Sequence, residues 1–457
     1  MTNNLLIYPT IDLFVYQLAE GLGQSDSDIA ENRRKFWRKF YANKLNDQEL
    51  EKRENIISDY IPLLKTNAEK LFPEPQDGFY HPVKIGDTYS LQINGSSDKS
   101  ENLDPLDPRE INCFQGIKKT IQQKYPTNEI SKINFGQSWF VWAKLTSAEQ
   151  KPEIVAKNIY EQLQLFDQLT WEDTLKTDLK LSDQNDFGAT FFECWQLPSD
   201  RVSPTQNHHL LIVLFAPNEN NQFYQLINKN YPKLTRLFLS RHKIIWAYQN
   251  SREYKANLKE AAKEVQKRVK DLPNKIDESV NPQKEADLGL LQQELAHTLN
   301  LMSGYAETLS YLEEQKNTIE ANFKNYQRLV TDLNLPCLQT FTPIVSEKYL
   351  PQINSDLTSL SSGLKLLENS VRTIEGIINI EQAKGDRALN ENSLNLNKTF
   401  LAASAGLATS QVIGAVWIAY DPPTKDLAKS INIFMSSIVS GLIIFWLVRK
   451  TLASKIS

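Results

Sequence analysis

Asn390, Asn397, Ser404 and Gln411 recur at every seventh position, so a helix carries all four on one side. The last two stand in a run without charge from Thr399 to Tyr420. Uncompensated amides and hydroxyls are costly in hydrocarbon, so that side must face protein or water. Two chemistries follow. The stripe lines a path along which cations pass, or it hydrogen-bonds one helix to another. Beside it Ala402, Gly406, Ser410 and Gly414 repeat every fourth residue, the small-residue spacing that lets membrane helices approach closely. Copies of this helix packed around an axis form a homo-oligomer. A conductor needs the stripe in water, whereas an anchor tolerates Leu at Ser404 and Gln411.

The element that must position these residues is a membrane helix. Thr399 to Tyr420 is long enough to cross the ~30 Å core of a bilayer, and a second apolar run extends from Ile431 to Val448. The short loop DPPTKDLAKS joins them. Lys384, Arg387 and Lys398 precede the pair and Arg449, Lys450 and Lys455 follow it, a bias that puts both ends inside. The start of the chain, MTNNLLIYPTIDLF, has neither a basic leader nor a clean apolar stretch, so no secretory signal is evident. These features predict a multi-pass protein with two spans in a bacterial inner membrane, both termini cytoplasmic and the lipid bilayer as a partner. The plain alternative is a buried helical hairpin.

A net charge of −4 over 457 residues argues against a chain built as a whole to bind nucleic acid. Cys113, Cys194 and Cys337 lie far apart without ligand spacing and read as small apolar residues in a reducing compartment.

Residues 1–75 read as an N-terminal helical region. IDLFVYQLAEGLG shows apolar positions at helical spacing, SDSDIAENRRKFWRKFYANKL opens with cap-forming residues, and EKRENIISDYIPLLKTNAEKLF continues the pattern. Residues 76–250 read as an α/β domain with candidate strands at 88–94, 138–145, 189–197, 209–216 and 243–249, and a helix in EIVAKNIYEQLQLFDQL. From 251 to 398 the pattern turns helical. A charged helix ends near Pro273, and a second runs from about Glu285 to Leu333 with Leu288, Leu291, Leu295, Leu299 and Met302 on one face. A third carries Ile353, Leu357, Leu360, Leu364, Leu367, Val371, Ile374 and Ile378 at alternating spacings of four and three, a heptad seam of a coiled-coil stalk. The expected fold class is therefore an α+β cytoplasmic domain, a long α-helical hairpin and coiled-coil stalk, and a C-terminal two-helix transmembrane hairpin (399–420 and 431–448), with a basic tail at 449–457.

In the order of its parts this layout resembles the CorA-type metal-ion transporters. The family's Gly-Met-Asn motif is absent, and Ala419, Tyr420 and Asp421 stand at the corresponding place. The resemblance implies an oligomer that passes cations along its first membrane helix, with Asp421 as a carboxylate ring at the external mouth. It also implies Arg449, Lys450 and Lys455 as the basic tail around the inner pore. A divalent cation then enters as substrate or regulator, and no other cofactor is evident. The rival function is a non-conducting tethered sensor or scaffold whose cytoplasmic domain binds a regulatory ligand or partner, or a signal-triggered membrane effector.

Other features carry less chemistry. NRRKFWRKFYANK interleaves basic and aromatic residues, but Phe36, Trp37, Phe40 and Tyr41 make one face of an amphipathic helix. His208 and His209 are adjacent and precede a strand, so they point to opposite faces and share no metal. His81, His242 and His297 are isolated in sequence. Asp26 with Asp28, and Asp183 with Asp186, read as solvated carboxylates. With no phosphate loop, nucleophile motif or paired Cys ligands, the chain is not expected to be an enzyme.

Overall fold

The computed structural model describes residues 5–21, 23–41, 46–64, 69–96, 106–125, 134–166, 168–180, 188–197, 208–217, 223–279, 288–389 and 443. In chain order the first half comprises β1 (Leu5–Leu18), α1 (Asp26–Arg38), α2 (Asp47–Glu54), β2 (Ile61–Pro62), β3 (Lys70–Leu71), β4 (Gly78–Ile85), β5 (Thr88–Ser96), β6 (Arg109–Glu110) and α3 (Cys113–Lys124). There follow β7 (Asn134–Leu145), α4 (Pro152–Leu163), α5 (Trp171–Thr174), β8 (Leu175–Lys180), β9 (Ala189–Trp195) and β10 (His208–Phe215). Long helices complete the described chain: α6 (Phe223–Ser279), α7 (Leu288–Asp332) and α8 (Leu350–Leu389), with a 3₁₀ turn at Pro336–Phe341 and a π-helical turn at Ile344–Tyr349 between the last two.

The ten strands form one sheet in the order β2-β4-β5-β1-β7-β10-β9-β8, with β3 beside β4 and β6 beside β1. β1 lies antiparallel between β5 and β7, while β7 and β10 run parallel. Alternation along the strands sends side chains to two faces. One face carries Ile11, Leu13, Val15, Leu91, Ile93, Trp139, Val141, Ile212 and Phe192, which form a single apolar core with α1, α3 and α4. α1 enters through a Ser25 capping box, and its Phe36 stacks on Tyr89 with ring centroids 4.5 Å apart. The opposite face carries Asp12, Phe14, Gln92, Asn94, Ser138, Phe140, Glu193 and His209, and α6 covers it. Phe238 of α6 packs on Phe14, Phe140 and His209, and Tyr16 donates to the Thr235 carbonyl at 2.9 Å. Nearly all the buried polar side chains of the sheet are thus on the α6 face.

The chain divides into two compact units. The first comprises residues 1–264 and 301–367 and holds the sheet. Within it, Tyr305 donates to the Leu360 carbonyl at 2.7 Å, and Asp356 takes Lys255 at 2.7 Å and Arg252 at 2.5 Å. The second comprises 265–300 and 368–457. Its described part packs Leu291, Ile374 and Ile378 together and pairs Arg268 with Glu294 at 3.3 Å.

Several expectations are corrected. Among the described residues no helix is long and apolar enough to cross a membrane. Where a cytoplasmic domain, a stalk and a two-helix transmembrane hairpin in a two-span inner-membrane chain are expected, the described residues instead form a mixed α/β architecture of a ten-stranded sheet and long helices. The physical reason is visible in those helices: each buries one stripe and exposes charge elsewhere. In α8, Ile353, Leu360, Leu367, Val371, Ile374 and Ile378 are buried, while Glu368, Arg372 and Glu375 are exposed. Segments 399–420 and 431–448 lie outside the described residues, the exposed Ile443 excepted.

Leu5–Leu18 is a strand, not a helix, and Lys243–Gln249 belongs to α6, not to the sheet. Residues 55–72 hold two short strands where a helix is expected. α6 continues through Pro273 to Ser279, beyond the expected stop. On α7, Leu291 is buried but Leu299 is exposed.

Candidate ligand-binding cleft

The site begins with Asp12. It follows Ile11 in the central strand and is fully buried on the α6 face. Gln92 and Asn94 from β5 donate to its Oδ1 at 2.9 and 2.8 Å. The Trp142 indole of β7 and the Tyr231 hydroxyl of α6 donate to its Oδ2 at 3.0 and 2.8 Å. All four donors are neutral, and no cation pairs with Asp12 among the described residues. Burial pushes its carboxyl above the usual range, and the four hydrogen bonds offset this only in part.

Three of those donors, Asn94, Trp142 and Tyr231, also line a cleft of about 180 Å³. Tyr8 makes its aromatic wall. β1 bulges between Ile7 and Thr10, and Tyr8 takes a left-handed backbone (φ 55°), a conformation uncommon outside glycine and held only where surroundings enforce it. The bulge re-aims the ring. Tyr8 lies near-parallel to Trp142, with centroids 5.4 Å apart, and to Tyr224, at 6.2 Å. Phe223 meets both Tyr8 and Trp142 edge-on. The opposite wall comes from β4. Gly78 approaches so closely that a Cβ there would sit 2.3 Å from the Asn94 carbonyl oxygen. Asp77 lines the same wall and accepts from the Ser96 hydroxyl at 2.6 Å. Burial first, then Asp77 and Tyr224, raise the Tyr8 phenol above its ordinary pKa, so it stays neutral. Among the described residues that line the cleft there is no Lys, Arg or His.

A second polar cluster sits on the same face of the sheet. Ser138 Oγ lies 2.9 Å from His209 Nδ1 and 2.8 Å from His242 Nε2, and His209 Nε2 lies 3.2 Å from Glu193 Oε1. The Thr340 hydroxyl donates to Glu193 Oε2 at 2.7 Å. Burial would raise the Glu193 carboxyl, but the His209 hydrogen bond, the Arg241 guanidinium and Thr340 outweigh it and hold it below its usual range. Burial, reinforced by Arg241, lowers His209 to about 4, and burial with Arg241 also lowers His242. Glu193 is then ionised and both imidazoles are neutral. His209 donates from Nε2 to Glu193, accepts the Ser138 proton at Nδ1, and His242 donates from Nε2 to Ser138 Oγ. Arg241 is 1 % exposed and is held between Trp195 (5.3 Å) and Phe341 (4.8 Å).

Hydroxyl, imidazole and carboxylate stand here in the order of a nucleophilic relay. Ser138, however, is fully buried and does not line the cleft, and His242 occupies its hydroxyl from the other side. The cluster instead ties β7, β9, β10, α6 and the Pro336–Phe341 turn together. Gly136 belongs to it: a Cβ there would lie 2.5 Å from His242 Nδ1.

The residues singled out in the sequence fall elsewhere. Asn390, Asn397, Ser404, Gln411, Asp421, Ala402, Gly406, Ser410, Gly414, Arg449, Lys450 and Lys455 all lie outside the described residues. His242 is not isolated in space, since it shares Ser138 with His209. His208 instead pairs with Gln137 at 2.7 Å. Among the described residues no group of three His, Cys, Asp or Glu side chains could hold a metal ion. Sequence reasoning missed Asp12, Tyr8, Trp142, Glu193 and Arg241. The readable signal was a lone charge inside an apolar stretch, as in TIDLF and FFECW.

No family model matches the chain, and no curated protein or solved structure is similar to it. Nothing there supports or refutes the transporter resemblance, and the CorA-like and ion-transport descriptions are left without support.

Proposed function

We propose that the sheet-bearing unit is a sensor module that binds a small organic ligand in the Tyr8–Trp142–Tyr231 cleft and does no chemistry on it. The observation that carries this reading is Asp12, a buried carboxylate without a cation whose donors also line a partly aromatic cleft. Convergent polar groups in a concave aromatic site are the ordinary form of a ligand pocket. At about 180 Å³ it is smaller than the roughly 300–1,000 Å³ of a drug-sized site, so the ligand is small. The alternative of an active site at Ser138 has no cleft residue behind it. A readout is built into the same element: α6 supplies Tyr224, Asn228 and Tyr231 to the cleft, then Thr235 and Phe238 to the sheet, then Arg241 and His242 to the buried cluster.

The test is thermal denaturation of the full chain against a panel of amines, amino acids, nucleosides, sugars and organic acids, beside Asn228→Trp. Asn228 lines the cleft from an exposed position on α6, so the indole fills the cavity while the sheet is left intact. A compound that raises the wild-type melting temperature and leaves Asn228→Trp unmoved supports the reading. If no compound separates the two proteins, the cleft is not a sensor site.

A further inference from the structure

Resting on the cleft reading above, we propose that the ligand is a small primary amine, its ammonium group recognised by oxygens whose own protons are already given away within the fold. The direction of the hydrogen bonds around the cleft carries this. A hydroxyl has one proton to give. Thr10 gives its proton to the Tyr8 carbonyl at 3.2 Å, Ser96 to Asp77 at 2.6 Å and Tyr231 to Asp12 at 2.8 Å. All three residues line the cleft, and each hydroxyl can meet a ligand only as an acceptor. The Trp142 indole, a donor with no acceptor, has spent its N–H on Asp12 at 3.0 Å. Asn94 turns its amide nitrogen to Asp12 at 2.8 Å, which leaves its Oδ1 for another partner. The Tyr8 and Tyr224 phenols and the Asn228 amide carry both functions and can present oxygen as well.

Such a lining selects a group that donates and does not accept. An amide, a hydroxyl or a carboxylate brings lone pairs of its own, which would face those of Thr10, Ser96 and Tyr231 with no proton between them. Ammonium and guanidinium groups carry N–H donors and no acceptor. The acceptors come from three separate elements, β1, β5 and α6. That spread suits the tetrahedral donors of an ammonium better than the planar fork of a guanidinium. Among the described residues that line the cleft, no Lys, Arg or His opposes the charge.

Asp12 is then a positioning residue. An ionised carboxylate only accepts, so it draws the protons of Asn94, Trp142 and Tyr231 away from the cleft.

The experiment is calorimetric titration of the full chain at neutral pH with ethanolamine, its N-methyl and N,N-dimethyl derivatives, and choline. The series keeps one positive charge while its N–H donors are removed one by one. Wild type should bind ethanolamine about tenfold or more tightly than choline, with affinity falling along the series, and Asn228→Trp should bind neither. Thr10→Val removes one acceptor and leaves every charge in place, so it should weaken ethanolamine about tenfold and leave choline unchanged. In Asp12→Asn the Asn94 oxygen turns inward, and the preference for ethanolamine over choline should shrink. Loss of charge alone would weaken both and keep their ratio. Choline binding as tightly as ethanolamine, or a ratio unmoved in Thr10→Val, would overturn donor recognition, and a ratio unmoved in Asp12→Asn would overturn the positioning role. Ethanolamine binding that survives in Asn228→Trp would overturn the location. If ethanolamine gives no heat while a neutral or anionic panel compound still separates wild type from Asn228→Trp, the ammonium class is lost and the sensor reading stands.

Discussion

Asp12 and Glu193 are both fully buried carboxylates on the same face of one sheet, yet their surroundings treat them in opposite ways. Glu193 has a full cation nearby in Arg241, the neutral His209 imidazole beside it, and no contact with the cleft. Asp12 has four neutral donors, no cation among the described residues, and an open cavity beyond three of those donors. The difference separates a charge balanced by the fold from one left for something outside it. A buried ion pair costs much when one member is removed, because the survivor is stranded, whereas neutralising a solitary buried charge strands no counter-ion.

The largest effect should come from stranding Glu193. Arg241→Leu is expected to destabilise by about 3–5 kcal/mol in urea denaturation, and adding Glu193→Gln should recover a large part of that loss. If the double variant is as unstable as the sum of the singles, Arg241 acts by packing between Trp195 and Phe341, and the comparison fails on that side.

Next comes acidity. The folded pKa of His209 is depressed from about 6.5 to about 4, and His242 is depressed too. The unfolded chain therefore takes up protons first as pH falls, so stability present above pH 6.5 is lost on the way down to about 4. Glu193, also depressed, extends the loss in the same direction. The groups facing His209 are Glu193, Arg241, Ser138 and His242, and none reverses the sign. The melting temperature should drop by several degrees across this window, and by less in His209→Gln. Equal drops in both proteins would place the titration elsewhere.

On the cleft side, Asp12→Asn should change stability by less than about 1 kcal/mol. The new amide can accept from Trp142 and Tyr231 and donate to Gln92 and Asn94 once those two amides flip. A loss of 3 kcal/mol or more would make Asp12 as structural as Glu193 and erase the contrast. Asn228→Trp, on an exposed position, should alter stability least, within about 0.5 kcal/mol, as read by the same denaturation curves.

How much of this was legible in the sequence depended on how many faces an element buries. β5, β7, β9 and β10 announced themselves through β-branched and aromatic runs. β1 did not, because every residue from Pro9 to Ala19 is buried, which erases the alternation that marks a strand. What remained, Ile11, Phe14, Val15 and Leu18, imitates helical spacing. Ile244, Ile245, Ala247 and Tyr248 misled in the other sense: a broadly buried helix with β-branched residues reads as a strand. The polar clusters were unreadable for a different reason. Ser138, Glu193, His209 and His242 meet only when β7, β9, β10 and α6 are side by side, and no spacing along the chain encodes that meeting.

β1 also sets a condition on how the molecule comes together. Its partners are distant in the chain: Val15 faces Leu91 on one side and Gln137 on the other. The middle of the sheet therefore cannot form from neighbouring segments, and long loops must close before its ladder gains anything. Folding should be slow, and β1, buried on both faces of the finished sheet, is the segment most exposed to wrong pairing while it waits. A growing chain that has not yet reached β7 holds β1 with an open edge, which makes it the natural client segment for a holding chaperone.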